Sequence, residues 1–208
     1  GTGVPADWTT FTAQPSVSFP GTIAVLSTTN VAMLTNQSSL VGQIFVSTNR
    51  GVSWSQVTSC SGVPTSGASG WGSNVGLNTP NRRILTSDKT ANVYYAFNYS
   101  VQPGIYKISA DGSTCTRMTT TNFDASSADG YGAMLIAAPG VTGHLFFTAG
   151  SQDPDNASQA FHHCSESAGT MTCSSSDSYV TGITDVTAFE FGATKPGDTF
   201  PALYLYGR

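Results

Sequence analysis

Residues 42–56 read G-Q-I-F-V-S-T-N-R-G-V-S-W-S-Q, and this stretch decides the fold. Ile44 and Val46 fall on one side of an alternating run, which is the period of a β-strand. A turn rich in Ser and Asn follows, where Gly51 can adopt a positive φ. Trp54 then offers a large apolar ring for packing. The stretch therefore predicts a β-hairpin.

The same hairpin recurs in weaker form at residues 105–118 and 161–173. Before each copy, an aliphatic strand is followed after a short turn by an aromatic-rich strand. A four-stranded unit thus repeats about every 50 to 60 residues, a spacing typical of the larger β-propeller blades. The predicted inner strand pairs are 22–26 with 31–34, 83–85 with 93–97, 134–138 with 145–148, and 186–191 with 203–206.

The predicted fold class is all-β, with about three and a half four-stranded propeller blades. No helical pattern competes, because Gly or Pro interrupts every long window. An arc of this kind exposes strand edges, which the rest of a longer chain, ring closure by the N-terminal strand, or other copies of the chain would cover. The predicted units are a blade end at 1–20, blades at 21–60, 81–118 and 132–175, and a half blade at 185–208.

Composition excludes several classes of partner. Charged residues make up 10% of the 208 residues and the net charge is -4, with Arg82-Arg83 as the adjacent basic pair, so nucleic acid is not an expected partner. No apolar run approaches the roughly 20 residues that span a bilayer, so no membrane is expected either. The chain opens at Gly1 without a signal peptide, which fits a processed, secreted product. No cofactor motif is present.

Four cysteines are spaced unlike a zinc ribbon or a C-x-x-C redox motif. Cys164 and Cys173 flank a predicted hairpin and are expected to form a disulfide. Cys60 and Cys115 would pair if their strand ends are neighbours; buried free thiols are the alternative. Three N-x-S sequons add to the prediction of an extracellular glycoprotein, and they begin at Asn36, Asn98 and Asn156.

The turn in the first hairpin resembles the Asp box, S-x-D-x-G-x-T-W, with Asn for Asp and Ser for Thr. That motif marks the turn between the outer strands of propeller blades in sialidases, sortilin-type receptors and family 74 glycoside hydrolases. The matching residues are Ser47, Asn49, Gly51, Ser53 and Trp54. The weaker copies keep Ser109 and Asp111 in one case, and Ser165 and Gly169 in the other. All of these are expected to be structural.

Three further stretches, at 84–97, 137–150 and 189–207, are similar to the C-terminal propeller of glycoside hydrolase family 74 xyloglucanases. The resemblance implies two propellers clasping a cleft in which two aspartates cut the β-1,4-glucan backbone. Both aspartates precede the matched region, so no catalytic residue is carried over. The chain is thus expected to be part of a secreted xyloglucan-type glucanase whose loops bind plant cell-wall polysaccharide. The alternative is a non-catalytic secreted propeller used for carbohydrate binding or assembly.

Propellers usually bind ligands at one face. That face is formed by the loops that precede the first strand of each blade and the loops that follow its second strand. Trp71 lies among small residues with no local core, which suggests a sugar-stacking platform. Loop aspartates could form a hydrolytic pair, although solvated loop residues are the commoner explanation. The candidate substrate-binding residues are Trp71, Asp124, Asp129 and Tyr131, and Asp153 and Asp155 join them from the next loop.

No metal site is predicted. His162 and His163 would point to opposite faces of a strand, which argues against joint ligation. The run from Asp153 to Asn156 lacks the glycine and bidentate glutamate of a calcium loop and reads as a turn.

Overall fold

The computed structural model of the chain describes residues 20–35, 43–63, 83–98, 104–121, 133–148, 161–174 and 186–207, together with Ala13 and Trp71. All regular structure in these ranges is β-strand, as the sequence predicts. Within them, no helix is long and apolar enough to cross a bilayer.

The first sheet has four antiparallel strands in chain order. Ala24, Ala32 and Val46 align across it and are buried, because apolar side chains recur at every second position. Its strands are β1 Pro20–Val25, β2 Val31–Thr35, β3 Ile44–Ser47 and β4 Ser55–Gln56.

The second sheet repeats this arrangement and holds the largest buried side chains. Tyr94, Tyr95, Phe97 and Tyr106 are all 0% exposed. Consecutive aromatic residues are buried on both faces of the sheet, which indicates that the sheet is covered on each side. Its strands are β5 Leu85–Asp88, β6 Val93–Asn98, β7 Gly104–Ser109 and β8 Cys115–Arg117.

The third sheet has a fifth strand, which lies between the predicted blades at 81–118 and 132–175. Residues 119–121 continue outward from the second sheet and pair in parallel with the outermost strand of the third. This strand therefore joins two neighbouring sheets. The strands are β9 Thr119–Thr121, β10 Met134–Ala137, β11 His144–Thr148, β12 Phe161–Ser167 and β13 Thr170–Cys173, in the order β10-β11-β12-β13-β9.

The last sheet is a hairpin of two long strands, β14 Val186–Thr194 and β15 Pro201–Gly207. Phe189 and Val186 pack with Ile136 and Phe161 of the third sheet in a separate small core. In the part of the chain that the structure describes, no strand pairs with the outer edge of β15.

Hydrogen bonds between neighbouring sheets place the four sheets side by side in chain order, as propeller blades. The Ser87 hydroxyl donates to the Val25 carbonyl at 2.8 Å, which joins β5 to β1. The Ala137 amide donates to Thr86 Oγ1 at 3.1 Å, which joins β10 to β5. The Thr148 hydroxyl donates to the Val186 carbonyl at 2.8 Å and so reaches β14.

The turn from β3 to β4 is held by its own polar side chains. Ser47 Oγ accepts from the Gly51 amide at 2.8 Å, and Asn49 Oδ1 accepts from the Ser53 amide at 2.9 Å. Gly51 has a φ of 78°, and Trp54 is half-buried and donates from Nε1 to the Ala13 carbonyl at 3.0 Å. Short polar residues thus satisfy the backbone of a corner that has no ladder partners.

The turn from β7 to β8 is held by the same kind of side-chain hydrogen bonds, whereas the turn from β12 to β13 is not. Asp111 Oδ1 accepts from the Ser109 hydroxyl at 2.7 Å and from the Ser113 amide at 3.0 Å. In the third sheet Ser165 is a strand residue paired with Thr172, and the turn consists of two residues, of which Gly169 has a φ of 82°. The prediction of a corner motif at Ser165 and Gly169 is therefore wrong, because a tight hairpin replaces it.

Both predicted disulfides are confirmed. Cys164 and Cys173 face each other across β12 and β13, with their Cα atoms 3.9 Å apart. Cys60 follows the first sheet and bonds Cys115 in β8, with a Cα separation of 4.7 Å. The second bridge ties the first blade to the second.

Candidate functional site

A cleft of about 400 Å³ runs along the inner strands of the blades. Ile23 and Val25 lie on one side and are each 49% exposed. The other side consists of β5, β10 and the turn that follows β10 as far as Gly140. The cleft thus lies where the inner strands of neighbouring sheets meet.

An ion pair spans one end of the cleft. Arg83 Nη1, just before β5, lies 2.6 Å from Glu190 Oε2 on β14. Both side chains are substantially exposed, at 44% and 61%, so they can also hydrogen-bond a ligand. Lys89 contributes a further cation to the lining.

Two strands begin next to each other at this end of the cleft. Arg83 and Met134 form a parallel bridge, so the starts of β5 and β10 lie side by side. Three of the predicted substrate-binding residues precede Met134 closely in sequence, and two more follow Thr148. These residues, Asp124, Asp129, Tyr131, Asp153 and Asp155, lie outside the described residues.

Trp71 is a correction. Its side chain is 3% exposed and packs edge-on against Tyr106, with ring centroids 5.0 Å apart. The expectation that Trp71 has no core to enter is wrong, because the second sheet supplies one from a distant part of the sequence. A ring this deeply buried offers no face to a sugar, so Trp71 is not retained as a sugar-binding residue.

The best-connected carboxylates among the described residues support the fold. Asp88 accepts amide hydrogen bonds from Thr90 and Ala91 through Oδ1, and from Gly143 of the next sheet through Oδ2 at 2.7 Å. Asp111 is engaged in its turn, where the hydrogen bonds from Ser109 and Ser113 lower its pKa to about 2. A general acid for glycoside hydrolysis needs a raised pKa, which is the opposite change.

Among the described residues, Glu166 forms the more enclosed of the two ion-paired clusters. Its Oε1 lies 2.7 Å from Lys107 Nζ, and its Oε2 accepts a hydrogen bond from the Tyr95 hydroxyl. Burial acts to raise the pKa of Glu166, but the hydrogen bonds from Lys107 and Tyr95 and the charge of Lys107 outweigh it, so the pKa is lowered. Because Lys107 and Tyr95 belong to the second sheet and Glu166 to the third, the cluster joins two blades.

A pair of histidines was not found by sequence reasoning. His144 Nδ1 and His163 Nε2 are hydrogen-bonded at 2.8 Å, and the Phe146 ring stacks on His163 with centroids 4.6 Å apart. Phe200 approaches both imidazoles edge-on. Burial lowers the pKa of each imidazole, and the charge of Asp88 opposes this at His144. The two histidines meet because β11 pairs with β12. The pairing register of these strands would have been needed to predict the contact.

The described residues contain no group of three or more His, Cys, Asp or Glu side chains arranged to hold a metal ion. As predicted, His162 and His163 diverge. His162 Nδ1 lies 2.9 Å from the Ser174 carbonyl oxygen, whereas His163 faces His144.

The predicted glycan at Asn98 is not compatible with the structure. Asn98 is the last residue of β6 and is 0% exposed. A glycan needs an exposed asparagine, since it is too bulky for a protein core. The other two sequons, at Asn36 and Asn156, lie outside the described residues.

No family model matches the sequence, and no curated protein matches it. Among solved structures, the fold is similar to the GH74 xyloglucanase from Xanthomonas campestris, with a TM-score of 0.57 and 17% identity over 97% of this chain and 23% of that chain. The GH74 enzyme from Niastella koreensis matches at a TM-score of 0.39 and 17% identity, over 93% of this chain and 29% of that chain. This chain thus spans less than a third of either.

Proposed function

We propose that this chain is a propeller portion of a secreted xyloglucan-type β-1,4-glucanase, and that it binds the polysaccharide without cleaving it. The observation that carries the proposal is the structural similarity to a GH74 xyloglucanase over 97% of this chain. The sequence resemblance to the same family, at 84–97, 137–150 and 189–207, supports it independently.

The state of the carboxylates supports binding rather than hydrolysis. Glycoside hydrolysis needs two carboxyl groups across the scissile bond, one of them with a raised pKa. Asp88, Asp111 and Glu166 are each held by hydrogen bonds within the fold, and the pKa is lowered at Asp111 and Glu166. These three carboxylates support the proposal that the catalytic aspartates lie in another part of the enzyme.

We assign the binding surface to the end of the cleft that holds Arg83 and Glu190. Sugar hydroxyls both donate and accept hydrogen bonds, and this exposed pair offers both functions. Asp124, Asp129 and Tyr131 remain proposed contacts on sequence grounds, because they precede Met134 closely in sequence and Met134 bridges to Arg83.

Secretion is part of the proposal. Two disulfides in a chain of 208 residues support an oxidising compartment. The degenerate Asp-box interpretation also stays a proposal for the corners at Ser47 and Ser109, where the side-chain hydrogen bonds support it.

Affinity electrophoresis in xyloglucan-containing gels tests the proposed surface. The 208-residue chain should be retarded by xyloglucan, and Arg83→Ala should weaken the retardation at least about threefold, since a charged hydrogen bond contributes roughly 1 kcal/mol or more. Lys195→Ala is the matched control, because Lys195 is exposed in the distant turn between β14 and β15. Equal retardation of both variants, or none of the parent chain, would disprove the assignment.

A second candidate function, a non-catalytic propeller for assembly, is favoured by one observation. The last sheet has two strands and an outer edge with no partner among the described strands, which is suited to pairing with another chain.

A further inference from the structure

His144 and His163 meet edge to edge across β11 and β12. His144 Nδ1 lies 2.8 Å from His163 Nε2, the ring centroids are 5.1 Å apart, and the ring planes differ by 19°. The centroid separation exceeds the nitrogen separation by the radii of the two rings, so both nitrogens lie on the line that joins the centroids. The two imidazoles are therefore nearly coplanar and share one N–H···N hydrogen bond.

This hydrogen bond is compatible with one added proton but not with two. A neutral imidazole has one N–H group and one acceptor nitrogen, so two neutral rings can form the bond, and so can one neutral ring with one charged ring. When both rings are charged, both facing nitrogens carry hydrogen. The acceptor is then lost and two positive charges lie side by side. The doubly charged pair therefore cannot keep the observed geometry.

Aromatic rings from two sheets pack around the pair. Phe146 stacks on His163 with centroids 4.6 Å apart, and Phe200 lies edge-on to His144 and His163 at 5.0 and 5.8 Å. Both histidines belong to the third sheet, whereas Phe200 belongs to the turn between β14 and β15. Phe146 also contacts Phe191 of β14, at 5.1 Å. The pair is thus part of the contact between the third sheet and the turn end of the last hairpin, residues 191–203.

Charges around the pair do not compensate for its burial. Burial lowers the pKa of both imidazoles; the charge of Asp88 opposes this at His144, and the charge of His144 lowers the pKa of His163 further. A base with a lowered pKa destabilises the docked state as the pH falls below its ordinary value of 6.5, because the released state then binds more protons. The charged groups on the surrounding elements are Asp88 on β5, Lys107 on β7, Glu166 on β12, Glu190 on β14, and Lys195 and Asp198 in the turn between β14 and β15.

We propose that the histidine pair is an acid-sensitive switch, which holds the turn end of the last hairpin on the third sheet at neutral pH and releases it when both imidazoles are protonated. Phe200 moves first, because the charged rings gain water only when this side chain leaves. The other end of the hairpin stays in place, since the small core around Val186 and Phe189 consists of apolar side chains. This inference does not depend on polysaccharide binding.

Amide hydrogen exchange of the 208-residue chain tests the switch, with each rate corrected for its intrinsic pH dependence. Exchange is compared at about pH 7.5 and about pH 5.0, because histidine is the side chain that changes charge in this interval. Glu166 stays charged there, since its pKa is lowered from 4.5. His163→Gln removes one titrating ring and keeps a hydrogen-bonding amide near Nε2. His162→Asn is the matched control among the 3 histidines, because His162 Nδ1 lies 2.9 Å from the Ser174 carbonyl oxygen.

We expect residues 191–203 to exchange at least about tenfold faster at the lower pH in the parent chain and in His162→Asn, since one unit of pKa corresponds to a tenfold change in population. In His163→Gln the change should stay below about threefold, and β2 should be unaffected in every variant. No acceleration in the parent chain would overturn the proposal. It would also be overturned by an acceleration that persists in His163→Gln or is lost in His162→Asn.

Nuclear magnetic resonance titration of the imidazoles in the parent chain gives a second measurement, which does not require any variant to fold. His144 and His163 should titrate in two coupled steps at least about one pH unit apart. Two independent titrations near about pH 6.5 would show that the rings do not share a proton, and would overturn the proposal.

Discussion

Tyr94 and Tyr95 are neighbours in β6, both 0% exposed, but their hydroxyl groups differ. Tyr95 donates to the Glu166 carboxylate, whereas the buried Tyr94 hydroxyl has no hydrogen-bond partner among the residues that the structure describes. Removing a hydroxyl that bonds a charged group costs stability, while removing an unsatisfied one is nearly neutral or favourable.

The first prediction compares these two residues. Tyr95→Phe should lower the free energy of unfolding by about 1–3 kcal/mol, and Tyr94→Phe should change it by less than about 0.5 kcal/mol or raise it. Urea denaturation of the two variants measures the difference. Each serves as the volume-matched control for the other, so equal losses would show that the contact with Glu166 adds nothing.

The second prediction follows from the lowered pKa of Glu166. A carboxylate with a lowered pKa stabilises the folded state above its ordinary value of 4.5, and that contribution is lost as the pH falls through the folded-state value. Glu166→Gln should therefore have a lower free energy of unfolding than the parent near about pH 7. The difference between the two free energies should decrease towards about pH 3. Denaturation curves at several pH values measure the gap. A gap that widens in acid would contradict the assigned direction.

At the scale of single elements, two turn glycines separate backbone strain from crowding. Gly112 and Gly140 have φ values of 75° and 79°. A Cβ on Gly112 would lie 3.2 Å from side-chain atoms of Val46 and Val57, whereas nothing lies within 4 Å at Gly140. Alanine is strained at both positions, but it crowds side chains of another blade at only one of them.

The third prediction is that Gly140→Ala lowers the free energy of unfolding by about 1 kcal/mol, while Gly112→Ala lowers it by roughly 2–3 kcal/mol. Thermal and urea denaturation measure both. If Gly112→Ala cost no more than Gly140→Ala, the first and second blades would not be packed as described.

The strands were predictable because their signals are local. Alternating apolar residues such as Ile44 and Val46 indicate a half-buried strand, whatever position its sheet takes in the fold. The corner at Ser47 was equally readable, since its hydrogen bonds join residues within one turn. Ser165 was misread because a serine and a glycine at similar spacing also suit a two-residue hairpin, and only the register of β12 with β13 decides between them.

What the sequence could not reveal is contact between distant segments. The burial of Trp71 depends on Tyr106, and the pairing of His144 with His163 depends on cross-strand register. Similarly, β9 is a strand because the outer edge of the next sheet accepts it. The candidate site was predictable only as a group of loops, since the ion pair at its end joins residues 107 positions apart.

At the scale of the whole molecule, the two disulfides stabilise the fold to different extents. Cys60–Cys115 closes a separation of 55 residues and joins two blades, whereas Cys164–Cys173 closes 9 residues within one sheet. Cross-links that close longer loops remove more entropy from the unfolded chain. The inter-blade disulfide is therefore expected to contribute more to the free energy of unfolding than Cys164–Cys173 does.

The fourth prediction is that replacing Cys60 and Cys115 by alanine lowers the free energy of unfolding by about 4 kcal/mol, against roughly 2.5 kcal/mol for the same change at Cys164 and Cys173. Denaturant titration of the two double variants under non-reducing conditions measures the losses. A larger loss for the short bridge would show that the blades are held together mainly by other contacts.

The central claim is that these blades bind xyloglucan while the bond-breaking carboxylates lie in another part of the enzyme. The most direct measurement is to incubate the 208-residue chain with xyloglucan and to follow both polysaccharide binding by calorimetry and the release of reducing ends. Saturable binding without new reducing ends is the predicted result. New reducing ends formed by this chain alone, or an absence of binding, would contradict it.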